Sequence, residues 1–155
     1  MLKMSKSIRK KYNSKNTTRK HGPKMNFSNF QKEITVRFLE MIVMVKLYHW
    51  KTYSYSTHVA TDQLYQSLNE NMDKFIEVLL GKSGERTNLL NKKAISLIDI
   101  NSLEKFKEKI NSFKNYLISL NNSSTIQIMS DSDLLNIRDE ILGDINKLLY
   151  LLTFK

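Results

Sequence analysis

Apolar residues recur along this chain at steps of three and four, the period of a helix face turned toward a core, and they do not alternate as a half-buried strand would. The first such stripe predicts a helix from Ser28, which forms a capping-box pattern with Gln31, to about Lys51, through Phe30, Ile34, Phe38, Ile42, Val45 and Trp50. A second helix is expected from about Ser56 to Leu80, with Tyr65, Leu68, Met72, Phe75, Ile76 and Leu79 inward and Gly81 as its C-terminal cap. Residues 82–100 are less regular and read as a long connection, with a short crossing helix over Asn88–Leu97. A third helix follows Asn101 or Ser102, turns Leu103, Phe106, Ile110, Phe113, Leu117 and Leu120 inward, and stops near Asn121. The last begins after Ser130 with an acid-rich first turn that suits the positive end of a helix. It continues through Leu134, Leu135, Ile141, Leu142, Ile145, Leu148, Leu149 and Leu152. Short, long and shorter links between four long helices describe an all-α four-helix bundle with one long crossover connection.

Composition supports this class: with Gly 4 and Pro 1 in 155 residues, few positions interrupt a helix, and 41% hydrophobic residues supply a core. The most apolar stretch, Phe38 to Trp50, is broken by Glu40 and Lys46 and is too short to span a bilayer, so no membrane partner is expected. Charge is concentrated at one end. Lys3, Lys6, Arg9, Lys10, Lys11, Lys15, Arg19, Lys20 and Lys24 lie within residues 1–25 without an acid among them and account for most of the net +10. This polar segment has too little apolar surface to offset the entropy of ordering, so it is expected to be a disordered basic arm ahead of a folded unit at 26–155. Extended, it would reach about 80 Å, far enough to follow a polyanion. Its lysines would grip phosphates without reading bases, giving non-specific DNA binding. A solubility tail, a transit peptide or a nuclear address shares this composition.

The candidate chemistry lies at the first interhelix turn and along the second helix. His58 and Asp62 are four residues apart, as are Asp73 and Glu77, and all four fall on one helical stripe. The two pairs are nonetheless separated by about 22 Å along the axis, which no coordination sphere bridges. Two copies packed antiparallel about a two-fold axis would bring the histidine of one to the carboxylates of the other and form two equivalent metal sites. With Cys 0 the ligands are His, Asp, Glu and Met, a set that suits iron or a similar ion. The simpler readings are a packed structural His49, solvated charge at Asp73 beside Lys74, and core packing for Met41, Met44 and Met72.

The stretch from Tyr48 to Gly81, YHWKTYSYSTHVATDQLYQSLNENMDKFIEVLLG, resembles the ligand-bearing helix pair of Dps proteins, the miniferritins that protect DNA during starvation and peroxide stress. His49 with Trp50, then His58, Asp62, Asp73 and Glu77, match the relative spacing of that family's site residues on the second helix. The resemblance covers about Asn26 to Lys155 and implies a ferritin-like bundle, two-fold dimers within a dodecameric shell, and intersubunit iron. It also implies ferroxidase activity, in which Fe(II) is oxidised by hydrogen peroxide or oxygen. Trp50 would sit beside the metal at the dimer interface. The interval from His49 to His58 is shorter than the family's, which leaves His49 either on the metal or packed beside it. This tighter turn also resembles phage and giant-virus ferritin-like proteins. The implied location is the cytoplasm or nucleoid, or a virion or host nucleus for a viral source. The reading from a different class is a non-enzymatic nucleoid or virion DNA-packaging protein on the same scaffold.

Overall fold

The computed structural model describes residues 27–129 and 132–154. Among them are α1 (Phe27–Lys51), α2 (Tyr55–Ser83), α3 (Leu103–Ser119), a 3₁₀ turn (Leu120–Asn122), α4 (Ser124–Ile128) and α5 (Ser132–Leu151), with no strand among the described residues. Each long helix follows its apolar stripe: Ile34, Phe38, Met41, Val45 and Tyr48 of α1 are buried together with Leu64, Leu68, Met72, Phe75 and Leu79 of α2. Phe106, Ile110, Phe113 and Leu117 of α3 and Leu134, Ile141, Ile145 and Leu148 of α5 complete one apolar cluster. Phe38 lies at a junction of three helices, with its ring edge-on to Phe75 at 5.4 Å and to Phe113 at 6.1 Å. Met41, Met44 and Met72 are buried as core packing.

Polar contacts fix the helix directions. Gln31 Nε2 donates to Ser83 Oγ at 2.9 Å, placing the start of α1 beside the end of α2. Tyr48 stacks on Phe106 at 4.0 Å, so α3 starts where α1 finishes. The segment between α2 and α3 therefore travels the length of α1, touching it where Ser96 N–H donates to Glu40 Oε1 at 3.3 Å. The start of α5 meets the end of α2 through the Lys82–Asp133 pair at 3.0 Å, and the Lys82 hydrogen bond holds the Asp133 carboxyl below the usual carboxylate range. Arg138 joins α5 to the end of α3: its guanidinium is buried and donates to Leu117 O at 3.0 Å and to Asn121 Oδ1 at 2.9 Å. These two charge-assisted hydrogen bonds tie the end of α3 and the turn after it to α5.

Five local expectations are corrected. Ser28 lies inside α1, and Gln31 spends its amide on Ser83 rather than on a capping box. Trp50 is not an inward residue of α1, since 66% of it is exposed. Gly81 remains helical, and Gly84, at φ 68°, ends α2 by donating its N–H to Leu80 O at 2.9 Å. No helix forms over Asn88–Leu97: the Asn88 side chain accepts from Leu90 N–H at 3.0 Å, a local bond that competes with helix, and Leu90 and Leu97 face solvent. The short α4 was not expected; Ser123 Oγ accepts from Ile126 N–H at 3.4 Å, and Ile126 anchors the segment in the core. The Ser130 boundary and the basic arm at 1–25 lie outside the described residues.

Removing the ring at the three-helix junction should cost far more than removing an exposed leucine from the crossover. Urea unfolding is expected to show a loss of about 3–5 kcal/mol for Phe38→Ala and no more than about 0.5 kcal/mol for Leu90→Ala.

Candidate functional site

The last turn of α1 and the first turn of α2 are joined by residues 52–54 alone. Ser54 opens α2 as an extended N-cap whose hydroxyl accepts from Thr57 N–H at 3.3 Å. This tight turn brings His49 and His58 face to face, with ring centroids 3.9 Å apart and planes inclined by 25°. Each ring bonds the other residue's backbone: His49 Nδ1 lies 3.0 Å from His58 O, and His58 Nδ1 lies 3.1 Å from His49 O. A carbonyl oxygen only accepts, so both rings carry a proton on Nδ1. In the neutral rings the remaining lone pair is then on Nε2, the arrangement found when a histidine donates one ring N–H to a carbonyl and offers the other nitrogen to a metal.

His49 is buried, with Thr61 Oγ1 packed 3.4 Å from its Nδ1, whereas His58 is exposed. Thr61 donates back into α2, to Thr57 O at 2.8 Å and His58 O at 3.0 Å. Asp62 Oδ1 stands 3.8 Å from His49 Nε2 and 3.8 Å from Lys46 Nζ. Two metal–ligand bonds of about 2.1 Å meeting at one ion span a nitrogen–oxygen separation between roughly 3.4 Å and 4.2 Å as the angle opens from tetrahedral to linear. The His49–Asp62 spacing falls within that interval. Asp62 Oδ2 accepts from Gln66 Nε2 at 2.9 Å, and Lys46 sits 4.1 Å over the Tyr65 ring and 5.8 Å over Trp50, a cationic and aromatic border to the pair.

One chain thus brings His49, His58 and Asp62 to the same corner. Asp73 and Glu77 stay farther along α2, both exposed, and do not join them. Among the described residues no group of three or more His, Cys, Asp and Glu side chains is arranged within the chain to hold a metal ion. Lys46 and Thr61 were not singled out from the sequence. Each stands three residues from a candidate histidine on its own helix, and that spacing is the signal that would have found them.

The chain belongs to a family of unknown function, DUF5856, whose model matches residues 49–152. The matched stretch runs from the end of α1 through α5 and contains His49, His58, Asp62, Asp73 and Glu77. No curated protein and no solved structure matches the chain.

The reciprocal imidazole bonds make the two histidines unequal to the distant carboxylates in their effect on folding. His49→Ala, which empties a buried position and strips His58 O of one donor, should lower unfolding free energy by about 1–3 kcal/mol, and Glu77→Ala should change it by less than about 0.5 kcal/mol, both read from urea melts.

Proposed function

We propose that this protein is a Dps-like, ferritin-like bundle that oxidises Fe(II) at sites shared between two copies and binds DNA through its basic arm. The observation that carries the reading is the histidine pair: both rings spend Nδ1–H on backbone, which leaves the Nε2 lone pair of each for a ligand bond, and Nε2 of His49 stands 3.8 Å from the Asp62 carboxylate. One corner supplies nitrogen donors and at most one acid. The carboxylates of Asp73 and Glu77 project from the same helix fifteen and nineteen residues beyond His58, so an antiparallel second copy would supply what the corner lacks. The outer side of α1 offers a surface for that copy: Leu39, Val43 and Trp50 recur at steps of four and seven, outside the core cluster, with Leu39 and Trp50 exposed. The helix directions support the bundle topology, in which α2 and α3 run the same way and the intervening segment crosses between them.

In this reading Fe(II) is the substrate. Two ferrous ions each lose one electron to hydrogen peroxide, which takes up two protons and leaves as two waters. Oxygen is the other oxidant. The imidazole nitrogens of His58 and His49 suit Fe(II), while Asp62, Asp73 and Glu77 balance the higher charge of Fe(III) and favour its formation. Oxidised iron would collect inside a closed shell, which the family resemblance makes a dodecamer. The arm, with its nine cations between Lys3 and Lys24, would hold DNA by its phosphates.

Mixing the protein anaerobically with ferrous salt and then peroxide should show rapid oxidation that slows about tenfold or more in the paired substitution His58→Ala and Glu77→Ala. Equal rates in the two proteins would eliminate the ferroxidase reading and leave DNA packaging as the function of the scaffold. Deleting residues 1–24 should abolish DNA retardation at low salt. The intact chain should lose affinity by about 0.9 log unit per log unit of salt for each phosphate neutralised; undiminished retardation by the truncated chain would reject the role of the arm.

A further inference from the structure

On the crossover side of α1 a cleft of about 690 Å³ opens between the helix and residues 88–98, and a smaller cavity of about 170 Å³ extends from it toward α3, with Arg37, Glu40 and Ile98 shared by both. The larger space falls within the size range of small-molecule sites, roughly 300–1,000 Å³. Its apolar wall is Val36, Leu89 and Ile98, and its charged rim is Lys32, Arg37 and Lys92 against Glu33 and Glu40. Glu40 is engaged by Ser96 N–H. Arg37 lies 5.5 Å over the Tyr116 ring, with no carboxylate in ion-pair contact among the described residues.

Two hydroxyls among the described residues are buried without a hydrogen-bond partner. Tyr116 Oη belongs to a side chain that lines the smaller cavity; Thr87, the residue before Asn88, lines neither space. A buried hydroxyl left unpaired is costly, and a ligand acceptor would relieve that cost. Burial first, and then the Glu33 carboxylate, push the Tyr116 phenol far above its usual range against the opposing effect of Arg37, so it remains a proton donor at neutral pH. The crossover that covers the site lacks helix and strand over 88–98 and is tied to α1 through the Ser96–Glu40 bond.

We propose that this cleft binds a small organic anion. Its phosphate or carboxylate head would lie against Arg37 and Lys92 and accept from Tyr116 Oη, and its ring body would rest on Val36, Leu89 and Ile98. The site uses none of the candidate metal ligands, so its occupancy and iron oxidation are measured separately. Titration calorimetry of the full chain with 1-naphthyl phosphate, 1-naphthoate and neutral 1-naphthol holds the ring constant and varies the head. At least one anion should bind saturably at one site per chain and at least about tenfold more tightly than the naphthol, and the tighter of the two identifies the head group. Arg37→Gln should erase that preference. Tyr116→Phe should weaken the favoured anion about threefold or more while raising the melting temperature of the free protein by about 3 °C, because the unpaired hydroxyl is gone. Absence of saturable anion binding, equal binding of the naphthol, or undiminished binding by Tyr116→Phe would each overturn the assignment.

Discussion

The exchange of hydrogen bonds between His49 and His58 is the contact on which the site geometry depends. A helix ends with carbonyl groups that have lost their internal partners, and at the end of α1 one of these, His49 O, takes the ring N–H of a residue in the first turn of α2. The reverse bond, from His49 Nδ1 to His58 O, fastens the buried ring to α2. Two helix ends are thereby joined through side chains, in a turn too short for either ring to occupy many other positions. The same bonds set the tautomer of both rings. A feature that closes the fold therefore also fixes which nitrogen of each ring is left over, and the packed, structural role of His49 is compatible with the proposed role at a metal.

The long helices were legible because burial imposes a period on them. Phe106, Ile110, Phe113 and Leu117 face the core as their spacing predicts, and the Ser102 cap stands where a helix start was expected. The errors fall where local chemistry competes. Gly81 and Gly84 are both credible terminators in sequence, and the choice between them follows from α2 continuing until Ser83 meets Gln31. Over 88–97 the leucines suggest a helix, but the Asn88 side chain satisfies the backbone of Leu90 in a different way, and neither Leu90 nor Leu97 finds a core to enter. Trp50 lies on the outer side of α1 because the five residues that separate it from Val45 turn it about 140° away from the buried stripe, at about 100° per residue.

The candidate site was legible as a set of residues and only partly as an arrangement. Spacing on one helix placed His58 with Asp62 and separated them from Asp73 and Glu77. The face-to-face imidazoles, the Thr61 hydroxyl beneath them and the Lys46 ammonium between Asp62 and Tyr65 depend on how two helices cross, which no single-helix period contains. The cleft beside the crossover was invisible for the same reason: its walls come from α1, an irregular segment and α3, and the unpaired Tyr116 hydroxyl stands out only once the surroundings of each atom are known.

The unequal lengths of the connections bear on the order in which the chain assembles. Residues 52–54 close the α1–α2 hairpin, whereas 84–102 must be laid along α1 before α3 can dock. A roughly sixfold longer loop adds about 1.6 kcal/mol of closure entropy to the second event. The hairpin, with its histidine clasp, is thus favoured to form while the second half of the polypeptide is still emerging from the ribosome, and it presents the nascent chain with a finished apolar face on which the later helices can condense.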